Sequence, residues 1–451
     1  MTRPIGIDLF AGAGGLSLGF EQAGFDVRAA VEIDPVHCAV HKFNFPNCTV
    51  ISQSVADGLT GRDIRKRAGL DDAEIDCVFG GAPCQGFSLI GQRVLDDPRN
   101  RLVLEFVRLV AELGAKYFVF ENVKGLTVGT HRKFLDELVA AFDEVGYSVR
   151  LPWRVLDAAE YGVPQHRERL FLLGARKGLP LPEYPLPITR AADDRAADDR
   201  AAALDLPTGP TCEEALGDLP NVDLVEDLKA TDAVFLDDYD VPSAYAREMR
   251  CLSNDAWHLG YVRRWNPARL TSSWRTEHTD ISQRRFTETQ PGAVEPISRF
   301  YKLSPNGLSN TLRAGTDGAR GAFTSPRPIH YKYPRCVTVR EMARLHGFPD
   351  WFRLHATKWH GARQIGNAVP PPLGRAVAGA VVRVLGCKPS RPRRYLTLGD
   401  EALLYMDLSE AARHFGVEPP ASRRDRKSGA RKRKQHETEA ARLAALEAAS
   451  G

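Results

Sequence analysis

The chain has 451 residues, 43% of them hydrophobic and 26% charged, as in an ordinary water-soluble globular protein with room for two or three domains. No apolar run approaches the length of a membrane span and no secretory leader precedes the first strand pattern, so we expect a cytoplasmic protein without membrane contact. The eight cysteines include no C-x-x-C pair, which favours a reducing compartment and argues against a zinc site.

The net charge of +4 is unevenly distributed along the chain. Residues 423–434 hold eight Lys or Arg and one Asp, a net charge of +7, which leaves −3 for the rest. A nucleic-acid surface on the folded body must therefore come from segregated charge. We expect residues 419–451 to form a basic, disordered tail, which is either a nonspecific DNA-tethering arm or a solubilising segment.

Short β-prone runs alternate with helical patterns over residues 1–175. The predicted strands are 5–10, 27–33, 75–80, 117–122 and 169–175. Helical faces recur between them, with Phe106 and Leu113 in one helix and Phe134 and Leu138 in the next. This alternation predicts an α/β domain with a mostly parallel sheet, which binds ligands at the carboxyl ends of its strands.

The alternation of strand and helix patterns ends after residue 175. Residues 176–345 are predicted to be a linker and a loop-rich domain in which aromatic residues and arginines are interleaved, as on a nucleic-acid surface. An irregular domain with a solvated basic face is the alternative. Helical character returns in 346–390, which is followed by an extension, 391–418. The candidate groove or phosphate contacts are Arg263, Arg264, Arg269, Arg275, Arg284, Arg285, Arg313 and Arg320.

A glycine-rich loop, DLFAGAGGLSLGF, follows the first strand. Gly12, Gly14 and Gly15 allow a ligand to approach the backbone at the start of a helix. The dinucleotide pattern G-x-G-x-x-G fails because its last position is Ser17. Glu32 comes twenty residues after Gly12, where an acid often binds ribose hydroxyls. These features favour a nucleoside-bearing cofactor, although a plain tight turn also explains the glycines.

Six blocks occur in an order that resembles the DNA cytosine-5 methyltransferases: DLFAGAGG, GGAPCQGFS, FENV, GVPQHRERLF, TVREMARLHGFP and RQIGNAVPPPLG. The resemblance implies a Rossmann-like S-adenosylmethionine methyltransferase domain, a smaller target-recognition domain within 176–345, and a return segment, 346–390, that completes the catalytic domain. It covers both ends of the first 385 residues but leaves 176–335 and the tail without matched motifs.

The resemblance implies S-adenosylmethionine as the methyl donor and no metal. Phe10 would stack on its adenine, the backbone from Ala11 to Gly15 would hold its amino-acid end, and Glu32 would bind its ribose. Leu16, Pro83 and Asn367 would complete the pocket. The residue that reads the adenine amine stays open, since the usual Asp-Ile pair is missing and the candidates are Ser54, Val55, Asp57 and Asp63.

By the same resemblance, Cys84 is the nucleophile that adds to carbon 6 of cytosine and activates carbon 5. Glu121 would assist at N3, and Arg167 and Arg169 would hold the base, the glutamate and a phosphate. Because the target base lies inside a duplex, it must be flipped out. The residues expected to contact DNA are Gln85, Ser88 and Gln165.

Two alternatives remain at this point. One branch of the family methylates tRNA, although the GFS after Pro83-Cys84-Gln85 and the arginine-rich middle region favour DNA. A catalytically inactive DNA-binding relative is the other, and the presence of Cys84, Glu121, Arg167 and Arg169 argues against it. The expected context is a bacterial restriction-modification system: a nucleoid-associated monomer that acts on duplex DNA, with a separate cognate endonuclease. The recognised DNA sequence cannot be read from the chain.

Overall fold

The computed structural model describes residues 3–83, 100–127, 131–193, 204–316 and 324–418. An eight-stranded sheet forms its centre. The strands are β1 (Ile5–Leu9), β2 (Asp26–Glu32), β3 (Thr49–Ser52), β4 (Cys77–Gly80), β5 (Tyr117–Val123), β6 (Tyr147–Val149), β7 (Arg154–Asp157) and β8 (Glu168–Arg176). Their spatial order is β3-β2-β1-β4-β5-β8-β6, and β7 pairs with β8.

The first five strands are parallel, whereas β8 is antiparallel to its neighbours β5, β6 and β7. The predicted α/β class and mostly parallel sheet are confirmed. The last predicted strand, 169–175, is antiparallel because β7 reaches β8 through a short turn around the 3₁₀ helix Ala158–Tyr161, too short for the crossover that a parallel pair needs.

Five helices alternate with these strands: α1 (Gly15–Ala23), α2 (Pro35–Asn44), α3 (Gly61–Ala68), α4 (Arg101–Leu113) and α5 (His131–Glu144). The two helices predicted from their apolar faces correspond to α4 and α5. In α4, Val103, Phe106 and Val110 are completely buried, and Gly114 ends the helix in a left-handed conformation with φ 59°.

The return segment packs against α1, which in turn contacts β1 and β2 of the sheet. It follows α9 (Val339–Leu345) and contains α10 (Lys358–Asn367) and α11 (Pro371–Leu385). Helix α11 lies so close to α1 that a Cβ on Gly19 would be 2.7 Å from backbone atoms of Pro371, Gly374 and Arg375. The two ends of the chain therefore share one hydrophobic core.

The middle region consists of short elements. Its helices are α6 (Cys212–Leu216), α7 (Ala244–Met249) and α8 (Asp280–Glu288), and its strands are β9 (Val234–Phe235), β10 (Arg263–Arg264) and β11 (Arg269–Leu270). β9 pairs with β11, while β10 pairs with β12 (Leu396–Thr397) of the C-terminal extension. The last described helix, α12 (Leu408–Phe415), packs against α2.

Several arginines of the middle region are engaged by the protein itself. Arg263 is buried and forms a two-bond ion pair with Glu21 of α1. Arg285 is buried 3.6 Å from a carboxylate oxygen of Glu295. Arg269 is paired with Glu401, and Arg275 donates to the backbone oxygen of Asp223. These four side chains stabilise the fold, which does not support their predicted role as DNA contacts.

Of the other four candidate arginines, Arg264, Arg284 and Arg313 are exposed and remain candidate DNA contacts. Arg320 lies outside the described residues. Among the described helices, none combines the length and the apolar surface that crossing a bilayer requires.

Candidate active site

A cleft opens at the carboxyl ends of the parallel strands, where the chain order reverses between β1 and β4. It has a volume of about 620 Å³, within the range of roughly 300–1,000 Å³ that is usual for small-molecule sites. Its walls come from the ends of β1, β2, β4 and β5 and from α10. The fold thus brings together segments that are far apart in the sequence.

The loop after β1 forms one wall of the cleft through Phe10, Ala11, Gly12, Gly15 and Leu16. Phe10 adopts a left-handed conformation, with φ 64°, which is uncommon for an aromatic residue and occurs here beside the cleft. The predicted cofactor residues of this loop therefore lie together at one cleft wall, except Gly14, which is not part of the lining.

Two glycines of this loop are required by packing. A Cβ on Gly14 would lie 2.4 Å from the ring of Phe45, and one on Gly15 would lie 2.5 Å from the backbone oxygen of Val369. Gly14 also has φ 103°, which other residues rarely adopt. The glycines thus allow α2 and the turn after α10 to press against the loop.

Glu32 ends β2 beside this loop. Its Oε2 accepts a hydrogen bond from the Gly12 N–H at 2.8 Å, and its Oε1 accepts one from the Asp34 N–H at 2.8 Å. A carboxylate has about four acceptor positions, so each oxygen can accept a further bond from a ligand hydroxyl. This geometry suits the predicted ribose contact.

The sequence did not indicate Ile33 as a site residue. Ile33 is 56% exposed although it is a large apolar side chain, and it lines the cleft beside Glu32. An exposed apolar side chain in a cleft suits the face of an aromatic ring. Only the exposure reveals it, since an apolar residue at a strand end is ordinary in sequence.

The four candidates for the adenine contact lie outside the cleft lining. Val55 is buried in the core on the α3–α4 side of the sheet, and Asp63 caps α3 together with Thr60. Ser54 binds the Ala56 N–H, and Asp57 is exposed. The structure therefore identifies none of them as a cofactor contact.

Asp8 is a second residue that the sequence did not single out. It lines the cleft, is 1% exposed, and accepts a hydrogen bond from Ser17 Oγ at 2.5 Å. Burial raises its pKa to about 8, the Ser17 hydrogen bond lowers it, and the charge of Glu32 raises it. Asp8 therefore ties β1 to the first turn of α1.

Helix α10 supplies the opposite wall. Arg363, Gln364, Gly366 and Asn367 all line the cleft, and Asn367 is the exposed last residue of the helix. Gln364 Oε1 accepts from the His355 N–H at 2.9 Å, which fixes the helix in place. Asn367 thus lies in the wall of the cleft, and its predicted contact with a cofactor stays a prediction.

Glu121, near the end of β5, is a second buried acid of the cleft. Its Oε1 lies 2.9 Å from Arg169 Nε across the β5–β8 pair, and both side chains are nearly buried. Burial raises the Glu121 pKa, and the charges of Arg169 and Arg167 partly offset this effect. Such a carboxyl can take up a proton in a neutral solution more readily than an exposed glutamate.

The backbone after β4 lies against this acid. A Cβ on Gly81 would lie 2.4 Å from Glu121 Oε2, so only glycine leaves room for the carboxylate. The amide of Asn122 donates to the Ala82 backbone oxygen at 2.9 Å. Pro83 lines the cleft and is the last described residue before the next segment. The predicted nucleophile Cys84 and the predicted DNA contacts Gln85 and Ser88 lie outside the described residues.

Arg167 lines the cleft and also joins three parts of the chain. It is 1% exposed, and its guanidinium donates to the backbone oxygens of Leu312 at 2.9 Å and Gly366 at 2.7 Å. Burial and the neighbouring Arg169 lower its pKa, and Glu121 raises it. These bonds make Arg167 a positioning residue between the middle region and α10.

Gln165 is completely buried, and its amide is fully engaged. Its Oε1 accepts from the Leu312 N–H at 3.0 Å, and its Nε2 lies 2.9 Å from His346 Nδ1 and 3.2 Å from the Leu345 oxygen. This placement leaves the side chain no access to DNA, so the predicted DNA contact has no support. Gln165 and Arg167 together hold both backbone groups of Leu312.

Comparison with known proteins identifies a matching family and several similar proteins. Residues 5–383 match the family described as C-5 cytosine-specific DNA methylase. The chain is 56% identical over 417 residues to the Type II methyltransferase M.XorII of Xanthomonas oryzae pv. oryzae, covering 92% of this chain and 93% of that protein. It is 31% identical to the Type II methyltransferase M.AgeI of Thalassovita gelatinovora, covering 83% and 98%.

A solved structure agrees with this result. A prophage-encoded protein of E. coli, described as a DNA modification methyltransferase, superimposes with a TM-score of 0.65 at 31% identity, covering 85% of this chain and all of that one. The cleft, its glycine-rich loop and its buried glutamate, taken with these matches, show that the chain belongs to the C-5 cytosine-specific DNA methylase family.

Proposed function

We propose that this DNA cytosine-5 methyltransferase acts through a transient bond between Cys84 Sγ and carbon 6 of a cytosine flipped out of duplex DNA. The observation that carries this proposal is a single cleft that joins Glu32 and the glycine-rich loop to the Glu121–Arg169 pair. One part of the cleft suits a nucleoside and the other a polar base, so donor and acceptor would meet between them.

The residues present fit S-adenosylmethionine. Glu32 offers free acceptor positions to ribose hydroxyls, Phe10 and Ile33 offer apolar faces, and α10 provides Asn367. When bound, S-adenosylmethionine supplies an electrophilic methyl group, and its sulfur leaves as a neutral thioether. The donor is a co-substrate, and the mechanism assigns no role to a metal.

The residues of the chain would perform the remaining steps. The Cys84 thiolate adds to carbon 6, the electron pair of the C5–C6 double bond shifts to form a C4–C5 double bond, and the pair of the C4–N3 double bond moves to N3, which takes a proton from Glu121. Carbon 5 then takes the methyl group, and it loses its proton to a base such as water as the C5–C6 double bond re-forms and the thiolate leaves. N3 returns its proton to Glu121. Arg169 would hold the Glu121 carboxyl and the base in register.

The mechanism is tested by trapping. Duplex DNA that carries 5-fluorocytosine at the target position cannot lose the group on carbon 5, so the enzyme should form an adduct that survives denaturation. Cys84→Ser should still bind DNA but form no adduct. Efficient methylation by Cys84→Ser would show that another residue is the nucleophile, and tight DNA binding without any adduct in the parent protein would favour an inactive relative.

The substrate is tested by comparing nucleic acids. Duplex DNA should accept methyl groups under conditions in which tRNA does not. Preferential labelling of tRNA would overturn the proposed DNA substrate.

We further propose that the chain protects DNA within a restriction-modification system, as the Type II names of its relatives suggest, and shares the target of M.XorII. The 56% identity to M.XorII extends over 92% of this chain and therefore includes most of the middle region. Bisulfite sequencing of plasmid DNA from cells that express each protein should show the same modified sequence. If the two proteins modify different DNA sequences, their functional similarity is limited to the catalytic domain.

The cellular setting is proposed on the same grounds. We expect a cytoplasmic monomer that associates with the nucleoid, and a separate cognate endonuclease. Size-exclusion chromatography with light scattering checks the monomer directly.

A further inference from the structure

His37 lines the cleft but has no role in the mechanism above. It lies in the first turn of α2, and its side chain is only 7% exposed. The cleft wall around it includes Glu32, Ile33 and Asp34. His37 therefore adjoins the part of the cleft where the nucleoside of the methyl donor is proposed to bind.

The Nε2 atom of His37 is buried and has no hydrogen-bond partner among the described residues. The nearest carboxylate oxygen, Asp34 Oδ2, is 3.8 Å away, too far for a hydrogen bond. A buried ring nitrogen without a partner destabilises the protein, so such atoms in binding clefts commonly serve a ligand.

The charged and titratable groups that face His37 have partners of their own or are uncharged. Asp34 Oδ1 accepts from the backbone N–H groups of Val36 and His37. His355 accepts from the Thr357 N–H through Nδ1 and binds the Met406 oxygen through Nε2. Burial lowers the pKa of His360 on α10 to about 4, so this ring is neutral at physiological pH.

Arg363, also on α10, is a further cation near this group of residues. Its guanidinium is stacked over the Trp359 ring at 5.4 Å. The protein therefore leaves the His37 ring nitrogen to whatever occupies the cleft.

We propose that His37 Nε2–H donates a hydrogen bond to a ribose hydroxyl of the methyl donor, beside Glu32. The proposal rests on the proposed function, because it assumes a nucleoside in this cleft. Asp34 connects the two residues: its N–H binds Glu32 Oε1, and its Oδ1 accepts from the His37 N–H.

The chemistry of the diol explains why both residues are needed. A carboxylate only accepts hydrogen bonds, so Glu32 can receive the hydroxyl protons but cannot satisfy the hydroxyl oxygens. An imidazole N–H at Nε2 supplies the missing donor. The pair Glu32 and His37 then binds both the protons and an oxygen of the ribose diol.

Calorimetric binding to the full-length protein tests this inference with two ligands. Both ligands carry the adenine and the ribose, but S-adenosylhomocysteine also carries the amino-acid end, which 5′-methylthioadenosine lacks. His37→Phe keeps an aromatic ring but removes the donor, so both ligands should bind about tenfold more weakly. His37→Gln keeps an N–H donor at a similar distance and should recover most of the affinity.

A matched control is His360→Phe, which changes a neighbouring histidine outside the cleft lining and should leave both affinities unchanged. Should His37→Phe fail to give a folded protein by circular dichroism, His37→Ala serves in its place.

The outcomes separate this inference from the proposed function. Failure of the parent protein to bind S-adenosylhomocysteine contradicts the proposed function. Normal binding by the parent and unchanged binding by the His37 variants overturns the inference alone. Weaker binding of S-adenosylhomocysteine only, with 5′-methylthioadenosine unaffected, would place the contact at the amino-acid end and overturn the assignment to ribose.

Discussion

Glu32 and Glu121 line the same cleft, but the protein surrounds their carboxylates differently. Each oxygen of the Glu32 carboxylate accepts a hydrogen bond from one backbone N–H, so the side chain serves as a hydrogen-bond acceptor. Glu121 is buried, bonded to Arg169 and pressed against Gly81, and burial raises its pKa. One acid is thus arranged to bind hydroxyl groups, and the other to exchange a proton.

The comparison teaches that position within the fold, rather than residue type, assigns the role. Both glutamates lie at or near the carboxyl end of a parallel strand, and two strands, β1 and β4, lie between them in the sheet. The difference arises from what packs against them. A tight loop supplies backbone donors to Glu32, whereas a second strand supplies an arginine to Glu121.

The largest effect is expected from a substitution of Glu121, the acid that is proposed to exchange a proton. Glu121→Gln retains the size of the side chain but cannot supply a proton to N3, so the single-turnover methylation rate should fall by roughly 10²-fold or more. S-adenosylhomocysteine affinity should stay the same, because Glu32 and its loop are untouched. An unchanged single-turnover rate, measured by rapid quench with labelled donor, would remove Glu121 from the mechanism.

The second prediction moves Glu121 without changing it. Gly81→Ala introduces a Cβ 2.4 Å from the present position of Glu121 Oε2, so the carboxylate must shift. We expect the single-turnover rate to fall by about tenfold, since small displacements of catalytic groups are costly. Gly125→Ala is the matched control, because a Cβ there meets nothing within 4 Å. Equal rates for the two variants would contradict the tight contact.

The third prediction concerns Glu32, the acid that is proposed to bind hydroxyl groups. Glu32→Gln leaves one oxygen for two backbone donors and turns an amide N–H₂ towards one of them, so the KM for S-adenosylmethionine should rise about tenfold. The kcat should change much less, because Glu121 is unaffected. Glu112→Gln is a suitable control: Glu112 also accepts a backbone N–H, from Gly61, but lies outside the cleft lining. A fall in kcat with an unchanged KM would contradict the division of roles.

The smallest expected effect concerns stability and has opposite signs for the two acids. Because burial raises the Glu121 pKa above its ordinary value of 4.5, the ionised carboxyl destabilises the fold at neutral pH, and this cost disappears once the pH falls below 4.5. Glu121→Gln should therefore raise the free energy of unfolding at pH 7.5 and leave it nearly unchanged at pH 4.5 and below.

Glu32→Gln should instead lower the free energy of unfolding at pH 7.5, because the N–H₂ group of the glutamine would face a backbone N–H. Two donors cannot form a hydrogen bond with each other. Thermal melts of the ligand-free protein between pH 4.5 and pH 8 measure both variants. A lower melting temperature for Glu121→Gln at pH 7.5 would show that its pair with Arg169 outweighs the cost of burial.

Local patterns in the sequence were enough to predict the alternating strands and helices, and the glycine-rich loop after the first strand with Glu32 at the end of the second. These inferences succeed because strand and helix periods act over a few residues, and parallel strands place their carboxyl ends together. The order of the motif blocks added the family, since such a combination of residues is specific.

Only the tertiary structure decided which polar side chains serve the fold. Arg263 is bonded to Glu21, 242 residues earlier in the chain, and Gln165 and Arg167 enclose Leu312, about 145 residues later. The contact of Gly81 with Glu121 and the exposure of Ile33 are likewise set by packing. An arginine in an aromatic-rich segment looks the same in sequence whether it meets a phosphate or a buried carboxylate, because its partner is chosen by long-range packing and not by its neighbours in the chain.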